Sequence, residues 1–184
     1  MKTRLVIGCM LATGALSLLQ GCQTNEATGR RQFALLSREE EFQLGTQGMP
    51  QRVQEYGGGS QSSALRQYVA EIGQQLARET EGDNPELPWE FTVLESDVIN
   101  AFALPGGKVF VSRGLMDYFQ NEAQLAAVLG HEVGHVTAQH TDERVSHAMV
   151  VGGLAEVAGT IAGQSESAYA QIIPLVVGTG GQGY

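Results

Sequence analysis

All four histidines of this 184-residue chain fall between positions 131 and 147. Two of them stand in His131-Glu132-Val133-Gly134-His135, an H-E-x-x-H pattern. On this composition the pattern is expected by chance roughly 0.01 times per chain, so coincidence explains it poorly. Residues four apart on a helix differ by about 40° around the axis, so His131 and His135 project from one face a turn apart. Two imidazoles so placed can chelate one Zn²⁺, which gives an expected cofactor of one zinc per chain. Glu132 lies about 100° round from His131, near enough to act on a water beside the metal without being a ligand. Gly134 leaves room beside the metal, at some cost in helix propensity. In a continuous helix His140 points about 180° from His131, so it is expected to make a helix-end or core hydrogen bond instead of joining the metal. His147 reads as a surface or structural residue.

Such a site needs a helix to carry it and a core to hold that helix. Asn121, with Gln124 three residues on, caps a helix running through Leu125, Val128 and Leu129 to about position 139. Upstream, Ser37 and Glu40 form a capping-box pattern, with Glu39, Glu40 and Glu41 in the first turn of a helix that Gly57-Gly58-Gly59 ends. Leu65, Tyr68, Val69, Ile72 and Leu76 recur at helical spacing, predicting a second helix from 63 to about 79. Residues 82–88 read as a loop. Trp89, Phe91 and Val93 alternate with Glu90 and Thr92, which fits a strand. Residues 101–104 and 108–111 flank Pro105-Gly106-Gly107, a hairpin or kinked strand pair. Residues 148–163 are almost wholly apolar. With four Gly and one Glu they make a poor membrane span and a better buried or partner-covered helix. The expected class is α+β, mainly helical, with a small sheet or hairpin beside the H-E-x-x-H helix.

Apolar residues make up 42% and charged residues 17%, which rules out wholesale disorder. A formal charge of −9 gives no basic stripe for nucleic acid, so no nucleic-acid partner is expected. Residues 1–21 carry Lys2 and Arg4 before an uncharged apolar run from 5 to 19, short of the roughly 20 residues a bilayer crossing needs. This describes an export signal. Its end, Leu19-Gln20-Gly21-Cys22, resembles a bacterial lipobox, in which Cys22 becomes a lipidated N-terminus. Loss of Lys2 and Arg4 with the signal takes the formal charge from −9 to −11. Cys9 leaves too, so no thiol remains for a disulfide or a Cys-ligated metal. Gln23 after the Cys implies sorting to the outer membrane, with the domain facing the periplasm. Residues 23–32 are polar and turn-rich and read as a tether.

The run N-A-F-A-L-P-G-G-K-V-F-V-S-R-G-L-M at 100–116, followed fifteen residues on by the H-E-x-x-H helix, resembles the HtpX-like zinc metallopeptidase family. Within that family the similarity is to the lipid-anchored or periplasmic group that includes the barrel-assembly-enhancing proteases. Residues 28–37, T-G-R-R-Q-F-A-L-L-S, resemble the lead-in of the same group. The resemblance covers roughly 25–147. It implies a gluzincin fold, one catalytic zinc, and endopeptidase action on misfolded or stalled envelope proteins, with the outer-membrane assembly machinery as a further candidate partner. It also implies that substrate lies as an extended strand along a sheet edge. That assigns substrate binding to Asn100, Ala101, Phe102, Gly106 and Gly107, whereas the residues alone read as a plain Gly-turn hairpin. Glu132 is then the general base and His131 and His135 the metal ligands.

The family's third ligand is a Glu on a later helix with an Asp four residues beyond it. No E-x-x-x-D follows His135, and Glu156 reads as an isolated acid on an apolar helix. The expected organisation is therefore a lipoprotein signal at 1–21, a lipidated Cys and tether at 22–36, and a metallopeptidase domain at 37–184 that reads as incomplete at its C-terminus. Weak zinc binding and little activity are expected of a chain so ended. The alternative is a protease-like lipoprotein that binds unfolded envelope proteins without cutting them.

Overall fold

A computed structural model describes residues 22–81 and 84–161, and the expected export signal and the glycine-rich run after Pro174 lie outside them. Helix α1 (Arg38–Glu55) opens on the expected capping box. The Ser37 hydroxyl accepts from the Glu40 N–H, and the Glu40 carboxylate accepts from the Ser37 N–H at 2.8 Å. The Ser37 N–H and hydroxyl, both donating to the Glu40 carboxylate, hold that carboxyl below its usual range. Tyr56 closes the helix, and Gly57 and Gly58 then take the left-handed conformation open to glycine (φ 80° and 95°). Helix α2 (Ser63–Arg78) starts from a Ser62 cap and buries Val69, Ile72 and Ala77 along one stripe.

Three strands follow: β3 (Glu90–Leu94), β4 (Ala101–Leu104) and β5 (Lys108–Ser112), after a short N-terminal pair, β1 (Cys22–Thr24) and β2 (Arg31–Phe33). In the three-stranded sheet β5 is central, parallel to β3 and antiparallel to β4. The expected hairpin is thus the β4–β5 pair, turned by Gly106 (φ 71°) and Gly107 (φ 84°). A side chain at Gly106 would collide with the backbone of Phe42 on α1.

The sheet is covered on both faces. On one, Phe91, Val93, Val109 and Val111 pack with Val69 and Ile72 of α2 and with Leu125, Leu129, Val133 and Val136 of α4 (Glu122–Thr137). On the other, Leu94, Phe102, Leu104 and Phe110 pack against Met49 and Val53 of α1 and against Tyr56. A strand buried on both faces explains why β5 shows no polar alternation. The short helix α3 (Arg113–Met116) follows β5 directly. Helix α5 (His140–Ile161) completes the described fold, and no described helix is long and apolar enough to cross a membrane.

Two expectations need correction. Residues 22–36 are not a free run: β1 and β2 pair antiparallel around a turn at Asn25, and the segment lies against the start of α5. Two of their polar side chains, read as a mark of a loop, instead bond to the end of the H-E-x-x-H helix: Asn25 to Thr137 O, and Asn25 and Gln32 to the Gln139 side chain. Nor is the helix through His135 continuous to His140. It ends at Thr137, Ala138 caps it, Gln139 takes φ 53°, and α5 begins at His140.

Candidate metal centre

Helix α4 positions the site. Asn121 caps it, its side chain accepting from the Gln124 N–H at 3.1 Å, as its sequence foretells. Leu125, Leu129, Val133 and Val136 fix one stripe in the core, which leaves His131 and Gly134 on the outer face and His135 at the boundary. The Nε2 atoms of His131 and His135 face each other at 3.0 Å, with the rings nearly perpendicular. Two Zn–N bonds of about 2.0–2.1 Å at a tetrahedral angle span about 3.3 Å, so this pair of nitrogens fits one zinc with almost no rearrangement. Among the described residues no group of three or more His, Cys, Asp or Glu converges on one point. Glu156 falls in the part of α5 whose side chains lie outside the described residues.

Glu132, next in sequence to His131, is buried at 8% exposure. Burial pushes its carboxyl up from the usual range, and the charge of His131 pulls it partly back. A carboxylate raised in this way is a better proton acceptor near neutral pH. His135 moves the other way: burial first, then electrostatic repulsion from His131, His140 and Arg144, lowers its pKa and favours the neutral ring. A side chain on Gly134 would meet nothing within 4 Å, so packing does not demand glycine there.

The expected substrate-binding residues separate into three kinds. Asn100 is buried, its amide donating to the Tyr56 hydroxyl at 2.8 Å while its backbone pairs with Ser112. Phe102 is a core residue, stacked on Phe110 at 4.8 Å, with the Arg52 guanidinium over its ring. Gly106 and Gly107 form the turn and lie against Phe42 and Trp89. Only the backbone of β4 remains for a partner, because β4 is the edge strand. Ser112 N–H donates to Asn100 O at 3.0 Å, and antiparallel pairs alternate, so Phe102 also faces inward and Ala101 and Ala103 turn their backbone groups to the free edge.

Sequence reasoning missed the polar cluster behind the site. Buried Asn25 donates to Thr137 O at 2.8 Å and to the Gln139 side-chain oxygen at 3.1 Å, and Gln32 donates to that same oxygen at 2.9 Å. Further along, Leu35 N–H donates to the Ser146 hydroxyl and Leu36 N–H to the Asp142 carboxylate. Asp142 is fully buried with one oxygen unpartnered, and burial raises its pKa. Nearby Glu41, buried and paired with Arg38 at 3.0 Å, is pushed up to about 7 by burial, with Asp142 adding repulsion. Nothing local in the sequence links positions 25 and 32 to 139. The only signal was the amide-rich composition of a segment that looked unstructured.

Comparison with known proteins places these observations. The family model described as Peptidase family M48 matches residues 63–180. The mitochondrial metalloendopeptidase OMA1 of Schizosaccharomyces pombe is 29% identical over 148 residues, covering 79% of this chain and 43% of that protein. The same-named protein of Arabidopsis thaliana is 43% identical over 60 residues, 33% of this chain and 12% of its own length. The beta-barrel assembly-enhancing protease of Escherichia coli K12 is 40% identical over 76 residues, 41% of this chain and 15% of that protein. The chain thus spans less than half the length of each of these relatives.

Proposed function

The chain belongs to peptidase family M48, and from that premise we propose that it is a zinc-dependent metalloendopeptidase of the cell envelope that cleaves misfolded or stalled proteins. The observation that carries the reading is the facing pair of Nε2 atoms on α4, with a buried carboxylate one residue along from the first of them. His131 and His135 would hold the metal. When bound, zinc supplies Lewis-acid polarisation of a scissile carbonyl and makes water more acidic. Glu132 accepts the proton of the attacking water and returns it to the leaving amine. The free edge of β4 offers the outward N–H and C=O groups of Ala101 and Ala103 to an extended substrate. Recognition by backbone groups tolerates many sequences, which suits unfolded clients.

The relatives carry both mitochondrial and barrel-assembly names, so compartment is argued from this chain. Its lipobox, with Cys22 opening β1, supports an outer-membrane lipoprotein facing the periplasm, held by its lipid and within reach of the outer-membrane assembly machinery.

The test is Glu132→Gln. Both imidazoles remain, so zinc content should be unchanged, while hydrolysis of an unfolded protein such as reduced casein should fall about 10²–10⁴-fold. Near-normal cleavage by the zinc-loaded variant would remove Glu132 as the base. Zinc binding and client retention without cleavage in the unsubstituted chain would favour a holding role over a cutting one.

A further inference from the structure

His140 stands on the opposite side of His135 from His131. Its Nδ1 lies 2.8 Å from Nδ1 of His135, and the ring centroids are 5.0 Å apart. The two nitrogens of one imidazole point away from each other, so a metal held at His135 Nε2 lies far from His140. A neutral imidazole that ligates through Nε2 carries its only proton on Nδ1, and that proton needs an acceptor. His140 Nδ1 is the atom placed to take it.

We propose that His140 is a positioning residue that accepts the Nδ1–H of His135, fixing the tautomer and ring plane in which Nε2 is bare and aimed at the metal. The inference rests on the zinc reading and adds to it a group that the motif does not contain. The backbone shows how the contact is made. A helix continuing past Thr137 would carry position 140 round to the far side. Instead the break at Ala138 and Gln139 resets the direction, and His140 returns toward His135 as the first residue of α5. Gln139 is held in its φ 53° conformation by side chains of the β1–β2 hairpin, through its oxygen to Asn25 and Gln32. The contact is therefore built by three elements, and ligand-orienting contacts of this kind are typically worth 10–100-fold in metal affinity.

The experiment compares the unsubstituted full chain with His140→Asn, whose side-chain oxygen can stand in for Nδ1 as acceptor, and His140→Phe, which keeps the ring and removes the acceptor. Zinc affinity is read by competition with a chromophoric chelator, and folding by circular dichroism. The expected result is a 10–100-fold weaker zinc complex for His140→Phe and an affinity within about threefold of the parent for His140→Asn. Equal affinity in all three, or equal loss in both variants, overturns the role of His140 and leaves the zinc site standing. Failure of the unsubstituted chain to bind zinc overturns the site and this role together. Imidazole nitrogen NMR on the unsubstituted zinc-loaded chain keeps the proposal testable should a variant fail to fold. A His135 Nδ1 proton protected from exchange supports it, and one exchanging as freely as in an exposed histidine overturns it.

Discussion

At the scale of single residues, two helical glycines carry opposite demands. A side chain at Gly73 of α2 would fall onto the Phe91 ring, whereas one at Gly134 of α4 would meet nothing. Gly73→Ala should therefore cost about 1–3 kcal/mol through overpacking. Gly134→Ala should gain up to about 1 kcal/mol through helix propensity. Urea unfolding of both variants measures this, and a loss at Gly134 would mean that its space is already taken in the native state. Glu41 yields a second prediction. Its native pKa of about 7 stands above the usual 4.5, so the folded chain keeps this proton to higher pH than the unfolded chain does. The stabilising contribution is full below about pH 4.5 and is lost as pH rises through about 7, a swing of roughly 3 kcal/mol. Glu41→Gln, which cannot ionise, should flatten the decline in stability between pH 5 and pH 8. Parallel profiles for parent and variant would show that Glu41 is not the group responsible.

At the scale of elements, the helices and the β4–β5 hairpin were legible because each has its own local signal. Ser37 with Glu40 and Asn121 with Gln124 mark helix starts, Leu65 to Leu76 mark a face, and Gly106-Gly107 mark a turn. The two metal-ligating candidates were legible for the same reason, since i and i+4 on one helix is a local relation. What could not be read were relations between distant positions. The parallel pairing of β3 with β5 puts β4 at the edge, and the β4–β5 register turns the backbone of Ala101 and not of Phe102 outward. The break at Gln139 has no glycine or proline to announce it, because its strained backbone is held by Asn25 and Gln32, more than 100 positions away. It follows that Gln32→Leu, which removes one donor to Gln139, should loosen the α4–α5 junction before it unfolds the sheet. Hydrogen exchange should show faster exchange at 137–143 with β5 amides little changed, and uniform acceleration across both would argue against a locally held junction.

At the scale of the whole molecule, the proposed anchor and the folded domain share a residue. Cys22 opens β1 opposite Phe33, and Asn25, three positions on, is already buried against the end of α4. A chain spans at most about 3.6 Å per residue, so an anchor at Cys22 allows only some 10 Å before the fold begins. A lipidated chain would thus hold α4, with His131 and His135, close to the headgroups, with no long arm to sweep the periplasm. The hairpin is held to the fold by Asn25 and Gln32, so anchoring and folding should separate on mutation. Cys22→Ala should abolish lipid attachment and move the protein out of the outer-membrane fraction, since no described helix can substitute as a span. Thermal unfolding of the purified variant, compared with parent protein released in detergent, should differ by no more than a few degrees. Persistence of Cys22→Ala in the outer membrane would refute the lipid anchor. Loss of the folded state in that variant would instead show that residue 22 is needed by the hairpin, and that anchor and fold are one structural unit.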